Sequence, residues 1–231
     1  MIRYHYDIEQ GTPEWLSLRC GILTASEIKL IITPTLKVAS NDKERAHLLE
    51  LLAQRITGYT EPRFVSDDML RGHEDEIEAR IKYAEHYAPV KECGFITRNM
   101  GGIVIGYSPD GLVGDDGLMG DDGLIECKSR RQKYQVETIL SGEVPAEYML
   151  QIQTGLLVSG RKWLDFVSYS AGLPMFVKRV LPDYRYRVAI IAAATEFESR
   201  LQMALSRYQS ALKSMPILIN TERKIEEEMY L

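Results

Sequence analysis

A mixed α/β domain, with a central mixed β-sheet flanked by α-helices, is the fold class the sequence predicts. Helical windows and strand-like runs alternate along the chain instead of segregating. Two strand-like runs, "GGIVIGYSPDGL" and "GLIECKS", flank a stretch rich in Asp-Gly dipeptides, as an elaborated hairpin does. With 231 residues, 45% of them hydrophobic, the chain can bury one substantial core, so a single domain over 1–231 is expected.

Each element follows from its local pattern. "KERAHLLELLAQRIT" reads as an amphipathic helix closed by Gly58. "SDDMLRGHEDEIEARIKYAEHYA" has Ile77, Ile81 and Ala84 at helical spacing and no proline before Pro89, which predicts a helix of about four turns. The hairpin follows, its connection running from Val113 to Gly123 and containing "GDDGL" twice. "PAEYMLQIQTGLLVSG" is a helix opened by Pro145 and ended by Gly160, and "KWLDFVSYS" and "MFVKRVL" are strands. A long last helix starts near Pro182 and Asp183, and the tail at 216–231 is expected to be loosely held.

Composition narrows the chemistry. No apolar run reaches membrane-spanning length, and the N-terminal "MIRYHYDIEQGTPEW" lacks a basic-then-apolar signal pattern, so a cytoplasmic protein is expected. Cys20, Cys93 and Cys127 are odd in number and far apart, which argues against a disulfide framework and a zinc site. His5, His47, His73 and His86 show no metal-binding spacing, so a bound metal should be a hard ion held by carboxylates. The formal charge of -5 disfavours but does not exclude a nucleic-acid partner, because Lys128, Arg130, Arg131 and Lys133 cluster within six positions. By itself that cluster suits a solvated loop.

One constellation stands out. Glu126 and Lys128 are two residues apart, hence on one face of a strand whose other residues are apolar, and the paired strand would end at Asp110 in "SPDG". Two carboxylates so placed repel unless a divalent cation lies between them, and an amine beside them can orient water or screen charge on phosphorus. Taken singly, Asp110 also suits an ordinary β-turn, and Glu126 with Lys128 an exposed pair at a sheet edge.

The order "SPDG" then "ECK" matches the P-D…(D/E)-x-K signature of restriction-endonuclease-like nucleases. With "EWLSLRCGILTAS", "RGHEDEIEAR" and "YMLQIQTGLLV", the chain resembles more narrowly the lambda-exonuclease or YqaJ-like viral recombinase family, up to about Gly160. The resemblance implies a restriction-endonuclease-like core and two magnesium ions, with manganese as a substitute. It implies Asp110, Glu126 and the backbone carbonyl of Cys127 as ligands, with Lys128 and Gln151 beside the attacking water. A glutamate of the acidic helix completes the set: the family pattern selects Glu76, whereas periodicity leaves Glu74 equally able to face inward. Arg19 and Ser26 map onto a pocket for the DNA 5′ phosphate, chemically apt if Ser26 opens the helix "SEIKLII". Ser26 as a simple N-cap and Arg19 paired with a surface acid are the plainer readings.

The resemblance further implies a 5′-to-3′ exonuclease on linear double-stranded DNA, a homotrimer, a single-strand annealing partner, and phage or prophage origin. An endonuclease of the same fold and a catalytically silent DNA-binding module are the alternatives. The duplicated "GDDGL" departs from the family's compact hairpin and adds Asp115, Asp116, Asp121 and Asp122 with no evident physical benefit near DNA.

Overall fold

The computed structural model describes residues 1–62, 66–114, 122–215 and 218–223, with 67–69 by backbone alone. The duplicated "GDDGL" lies largely outside the described residues, as does most of the 216–231 tail. The elements are β1 (Ile2–His5), α1 (Pro13–Arg19), β2 (Leu23–Thr24), a 3-10 turn (Ile28–Leu30), α2 (Asp42–Thr57), α3 (Asp67–His86), β3 (Val90–Lys91), β4 (Phe95–Met100) and β5 (Ile103–Tyr107). They continue as β6 (Gly111–Val113), β7 (Gly123–Ser129), α4 (Gln132–Ser141), α5 (Ala146–Ser159), β8 (Trp163–Tyr169), β9 (Phe176–Val180) and α6 (Tyr184–Ser214). No helix among the described residues is long and apolar enough to cross a membrane.

The strands form two mixed sheets, ordered β3-β6-β7-β8-β9 and β1-β4-β5-β2. In the larger one β7 and β8 run parallel, Gly123 opposite Trp163 through Ser129 opposite Tyr169, so the chain between them must cross over and does so through α4 and α5. Alternate residues of β7 therefore enter different layers. Leu124 packs in the main core with Leu112, Leu164, Phe166 and apolar residues of α5 and α6, whereas Ile125 and Cys127 pack with Ala79 and Tyr83 of α3.

Helix ends fall where the sequence places them. Gly58 closes α2 and Gly160 closes α5, both with positive φ, and the Asp183 side chain caps α6 by accepting from the Arg185 amide.

Three expectations are corrected. "GGIVIGYSPDGL" is not one strand: β5 pairs with β4 in one sheet and β6 with β7 in the other. The break falls at Ser108-Pro109-Asp110, where proline has no amide for a ladder. Helix α3 forms but does not bury Ile77, Ile81 and Ala84, which are exposed; among its described side chains the buried ones are Ala79 and Tyr83. Tyr83 reaches across to the sheet and donates its hydroxyl to Asp165 Oδ2 at 2.7 Å, a partner no hydrophobic count can see. The basic cluster is not one solvated loop either: Lys128 lies in β7, Lys133 in α4, and the connecting Arg130 is buried.

Candidate active site

Glu126 is 1% exposed and is tolerated because three donors surround it. Tyr107 donates its hydroxyl to Oε2 at 2.7 Å, Lys128 Nζ donates to Oε1 at 2.7 Å, and Gln151 Nε2 also donates to Oε1. The strand alternation that puts Glu126 and Lys128 on one face also points both at α5, which carries Gln151. This approach depends on Gly155: a Cβ there would sit 2.8 Å from Tyr107 Cζ.

Asp110 enters from the break between β5 and β6, immediately before Gly111. Its Oδ2 accepts the Cys127 amide at 2.6 Å, an amide left free because β6 starts at Gly111, opposite Ile125. In an extended strand the carbonyl leaves on the same side as the amide, so the Cys127 carbonyl faces this uncovered edge too. From α3, Glu76 is partly buried and lies near Lys128 and Glu126, whereas Glu74 is exposed.

The electrostatics follow from burial. Asp110 is pushed well above the usual carboxylate range, by burial first and by the charge of Glu126 second. Glu76 is also raised, again chiefly by burial. Burial works against the charge of Lys128, but Glu126, Asp110 and Glu76 outweigh it and hold the side chain as an ammonium. Burial and the neighbouring Glu126 raise the Tyr107 phenol, so it stays a neutral donor.

Three carboxylates thus face a single ammonium. The uncompensated negative charge and the all-oxygen donor set are those a hard divalent cation requires. In the present arrangement, no three acidic, imidazole or thiol groups among the described residues stand close enough together to hold an ion. Glu126 spends its oxygens on Tyr107, Lys128 and Gln151, and Asp110 one of its own on Cys127. The chemistry of the residues fits a cation, and side-chain rearrangement would accompany its binding.

A cleft of about 600 Å³ opens beside the cluster, lined by Glu76, Asp110, His73, Arg80, Gln10 and Glu92 among others. Gln10 Nε2 holds its rim by donating to the Pro109 carbonyl at 2.8 Å. Arg80, one turn after Glu76, pairs with Glu92 at 3.1 Å.

Arg19 and Ser26 sit beside the strand end leading into Asp110. Ser108 Oγ accepts from Arg19 Nη1 at 3.2 Å and from Trp15 Nε1 at 3.0 Å, while the Arg19 guanidinium stacks 4.2 Å above the Trp15 ring. Ser26 is exposed, shares a 3.2 Å hydrogen bond with Thr24, and follows Ala25, whose amide donates to the Gly106 carbonyl. The expected helix at "SEIKLII" is only the Ile28–Leu30 3-10 turn, with Glu27 at its N-cap position, so Ser26 neither caps a helix nor borrows a helix dipole. Gln153 is turned away from the cluster, bonding to Leu181 and Asp183.

Tyr107 and Trp15 are the site residues that sequence reasoning missed. Each had a weak signal, an aromatic donor immediately before "SPDG" and one a turn before Arg19.

The model of the YqaJ-like viral recombinase domain matches residues 14–162, a span that contains every residue of the cluster. No curated protein matches. Among solved structures, the alkaline exonuclease LHK-Exo from Laribacter hongkongensis is 32% identical, covering 87% of this chain and 98% of its own, with a TM-score of 0.74. LHK-Exo in complex with dAMP is likewise 32% identical over 87% of this chain and 99% of its own, with a TM-score of 0.71. A phage related exonuclease from Haemophilus somnus 129PT, 14% identical over 81% of this chain and 96% of its own, shares the fold at a TM-score of 0.55.

Proposed function

Because the chain belongs to the YqaJ-like viral recombinase domain family, we propose that it is a metal-dependent 5′-to-3′ exonuclease. It digests one strand of linear double-stranded DNA to mononucleotides and leaves a 3′ single strand for recombination by strand annealing. The observation that carries this reading is the convergence of Lys128 and Gln151 on Glu126, with Asp110 and Glu76 alongside. The 32% identity to an alkaline exonuclease over most of both chains supports it.

In this reading Asp110, Glu126, Glu76 and the Cys127 carbonyl would hold magnesium, two ions with manganese as a substitute. When bound, the metal supplies activation of water and neutralisation of charge on the phosphate. Lys128, held as an ammonium, serves as a donor to water and phosphate oxygen and not as a general base. Gln151 fixes the position of the same water. Arg19, oriented by Trp15 and Ser108, receives the terminal 5′ phosphate together with Ser26, so each cut presents the next phosphate to the same pocket. Family membership also underlies the proposed homotrimer, the single-strand annealing partner, and a phage or prophage origin in a bacterial cytoplasm.

The test is digestion of linear 5′-phosphorylated duplex beside closed circular DNA in magnesium, with Lys128→Ala as the control. Loss of the linear substrate alone, to mononucleotides and absent in the control, is the expected result. Cutting of the circle would replace this reading with an endonuclease, and no cutting of either would leave a DNA-binding module.

A further inference from the structure

Ser26 opens no helix, so its place in the proposed 5′-phosphate pocket is set by something else. The turn Thr24-Ala25-Ser26-Glu27, closed by the Glu27 amide donating to the Thr24 carbonyl at 3.0 Å, brings the Thr24 and Glu27 side chains together. Thr24 is 2% exposed, and its hydroxyl donates to Glu27 Oε2 at 2.6 Å. A hydroxyl carries one proton. With that proton committed to a carboxylate, the stronger kind of acceptor, the 3.2 Å hydrogen bond between Thr24 and Ser26 has one donor left, Ser26.

Glu27 is itself seated against the core. Its side chain is 15% exposed, and Nε2 of the buried His47 on α2 lies 4.0 Å from the same Oε2. The His47 ring stacks on Phe197 of α6 with centres 5.7 Å apart, so a chain of contacts runs from exposed Ser26 through Thr24, Glu27 and His47 to two helices. Thr24 also lies opposite Gly106 of β5, two residues before the Ser108 that holds Arg19. Both halves of the pocket therefore hang on the short stretch 106–108.

We infer that Glu27 is a positioning residue of the 5′-phosphate pocket: through Thr24 it fixes where the Ser26 oxygen stands. The inference rests on the reading of Arg19 and Ser26 as that pocket. When a phosphate arrives, Ser26 turns its proton from Thr24 to a phosphate oxygen and exchanges a neutral hydrogen bond for a charge-assisted one, while the bond from Thr24 to Glu27 persists. A carboxylate near an anion site also repels the anion, and two variants separate the effects: Glu27→Gln drops the charge but keeps an acceptor for Thr24, whereas Glu27→Ala removes both.

Anisotropy of a duplex labelled with fluorescein at a 3′ end, measured in calcium with 5′-phosphate or 5′-hydroxyl termini, gives the preference for phosphate as a ratio of affinities. Glu27→Ala and Thr24→Val should lower that ratio about three- to tenfold, the worth of one hydrogen bond, while Glu27→Gln and Thr24→Ser keep it. Ser26→Ala should lower it as well, and adding Glu27→Ala to Ser26→Ala should lower it no further, because both act through one hydroxyl. Thermal melts identify a variant that has lost its fold, and should Glu27→Ala do so, Thr24→Val against Thr24→Ser decides the question. The inference is overturned if Glu27→Ala keeps or raises the wild-type ratio, or if Glu27→Gln falls as far as Glu27→Ala. A wild type that binds both kinds of end equally removes the pocket and this inference with it; a preference that Arg19→Ala abolishes and Glu27→Ala leaves intact removes this inference alone.

Discussion

Lys128 Nζ donates to Glu126 Oε1 at 2.7 Å inside a strand whose alternate residues are core, and this pair is the reason both charges are tolerated there. Glu126 is 1% and Lys128 19% exposed at the side chain, so the acid is sealed while the amine keeps a window on solvent. That asymmetry suits a lysine that must also face substrate.

Lys128→Met keeps much of the volume and removes the ammonium. Glu126 and Asp110 then lose the ammonium beside them, so DNA cutting should fall by at least about 100-fold, the lower bound for loss of a transition-state donor. The metal-free protein should lose roughly 3 kcal/mol, the cost of breaking a buried pair on one side. Initial rates on linear duplex and a urea melt read the two effects.

Asp110→Asn should raise the stability of the metal-free protein while abolishing activity. The raised folded pKa of Asp110 means the native state holds its proton longer than the unfolded chain does. Stability is therefore lost as pH rises from the unfolded value towards the folded one, and the asparagine escapes that loss. A gain of ~1 kcal/mol, or about 2–4 °C in melting temperature for a chain of this size, is expected at pH 7. Magnesium should raise the melting temperature of the wild type and not of the variant; an equal response in both would remove Asp110 from the metal site.

Gly155→Ala places a methyl 2.8 Å from Tyr107 Cζ and should push that ring off Glu126. Tyr107→Phe removes only the hydroxyl and leaves Glu126 Oε2 without that donor, at a cost of about 1–3 kcal/mol. Both variants should lose activity, with the larger structural loss in Gly155→Ala. Thermal melts set beside rates check the order, and a fully active Gly155→Ala would show that α5 has room to shift.

Arg19→Ala should weaken use of 5′-phosphorylated ends and leave 5′-hydroxyl ends nearly unaffected. Loss of a charged hydrogen-bonding group of this kind is worth ~2 kcal/mol, about 30-fold in kcat/KM. Paired rates on phosphorylated and dephosphorylated duplexes measure it, and equal losses on both would argue for a purely structural Arg19.

Glu198 on α6 receives both terminal nitrogens of Arg55 at 2.6 and 2.8 Å, and Arg55 Nε holds the Gly21 carbonyl just after α1. These Arg55 hydrogen bonds depress the Glu198 carboxyl below its ordinary 4.5. Its contribution is complete above that value and lost as pH falls through the lower folded one. Glu198→Gln should cost about 1 kcal/mol at pH 7, discounted for partial exposure, and nothing at a pH well below that folded value. Chemical denaturation at the two pH values provides the comparison, and a cost that persists in acid would exclude the ion pair as its source.

By itself the sequence determined what local rules govern. Glycines at positive φ end α2 and α5, an aspartate opens α6, and two-residue alternation sets Glu126 and Lys128 on one face with Cys127 on the other. Those features depend on residues a few positions apart. The rest required contacts between distant parts of the chain. Periodicity along α3 favoured the isoleucines as the inward face, but Tyr83 bonding to Asp165, 82 residues away, and Glu76 beside Lys128 turn the helix otherwise. The break at Pro109 could be read as a turn, yet that it carries the chain from one sheet to the other depends on β4 and β7 being there to pair. Tyr107 becomes part of the site only because α5 narrows to a glycine above it. Hydrophobic pattern says that a face will be buried; which buried polar groups find partners, and hence where the charge of the site is held, is settled only when the layers pack.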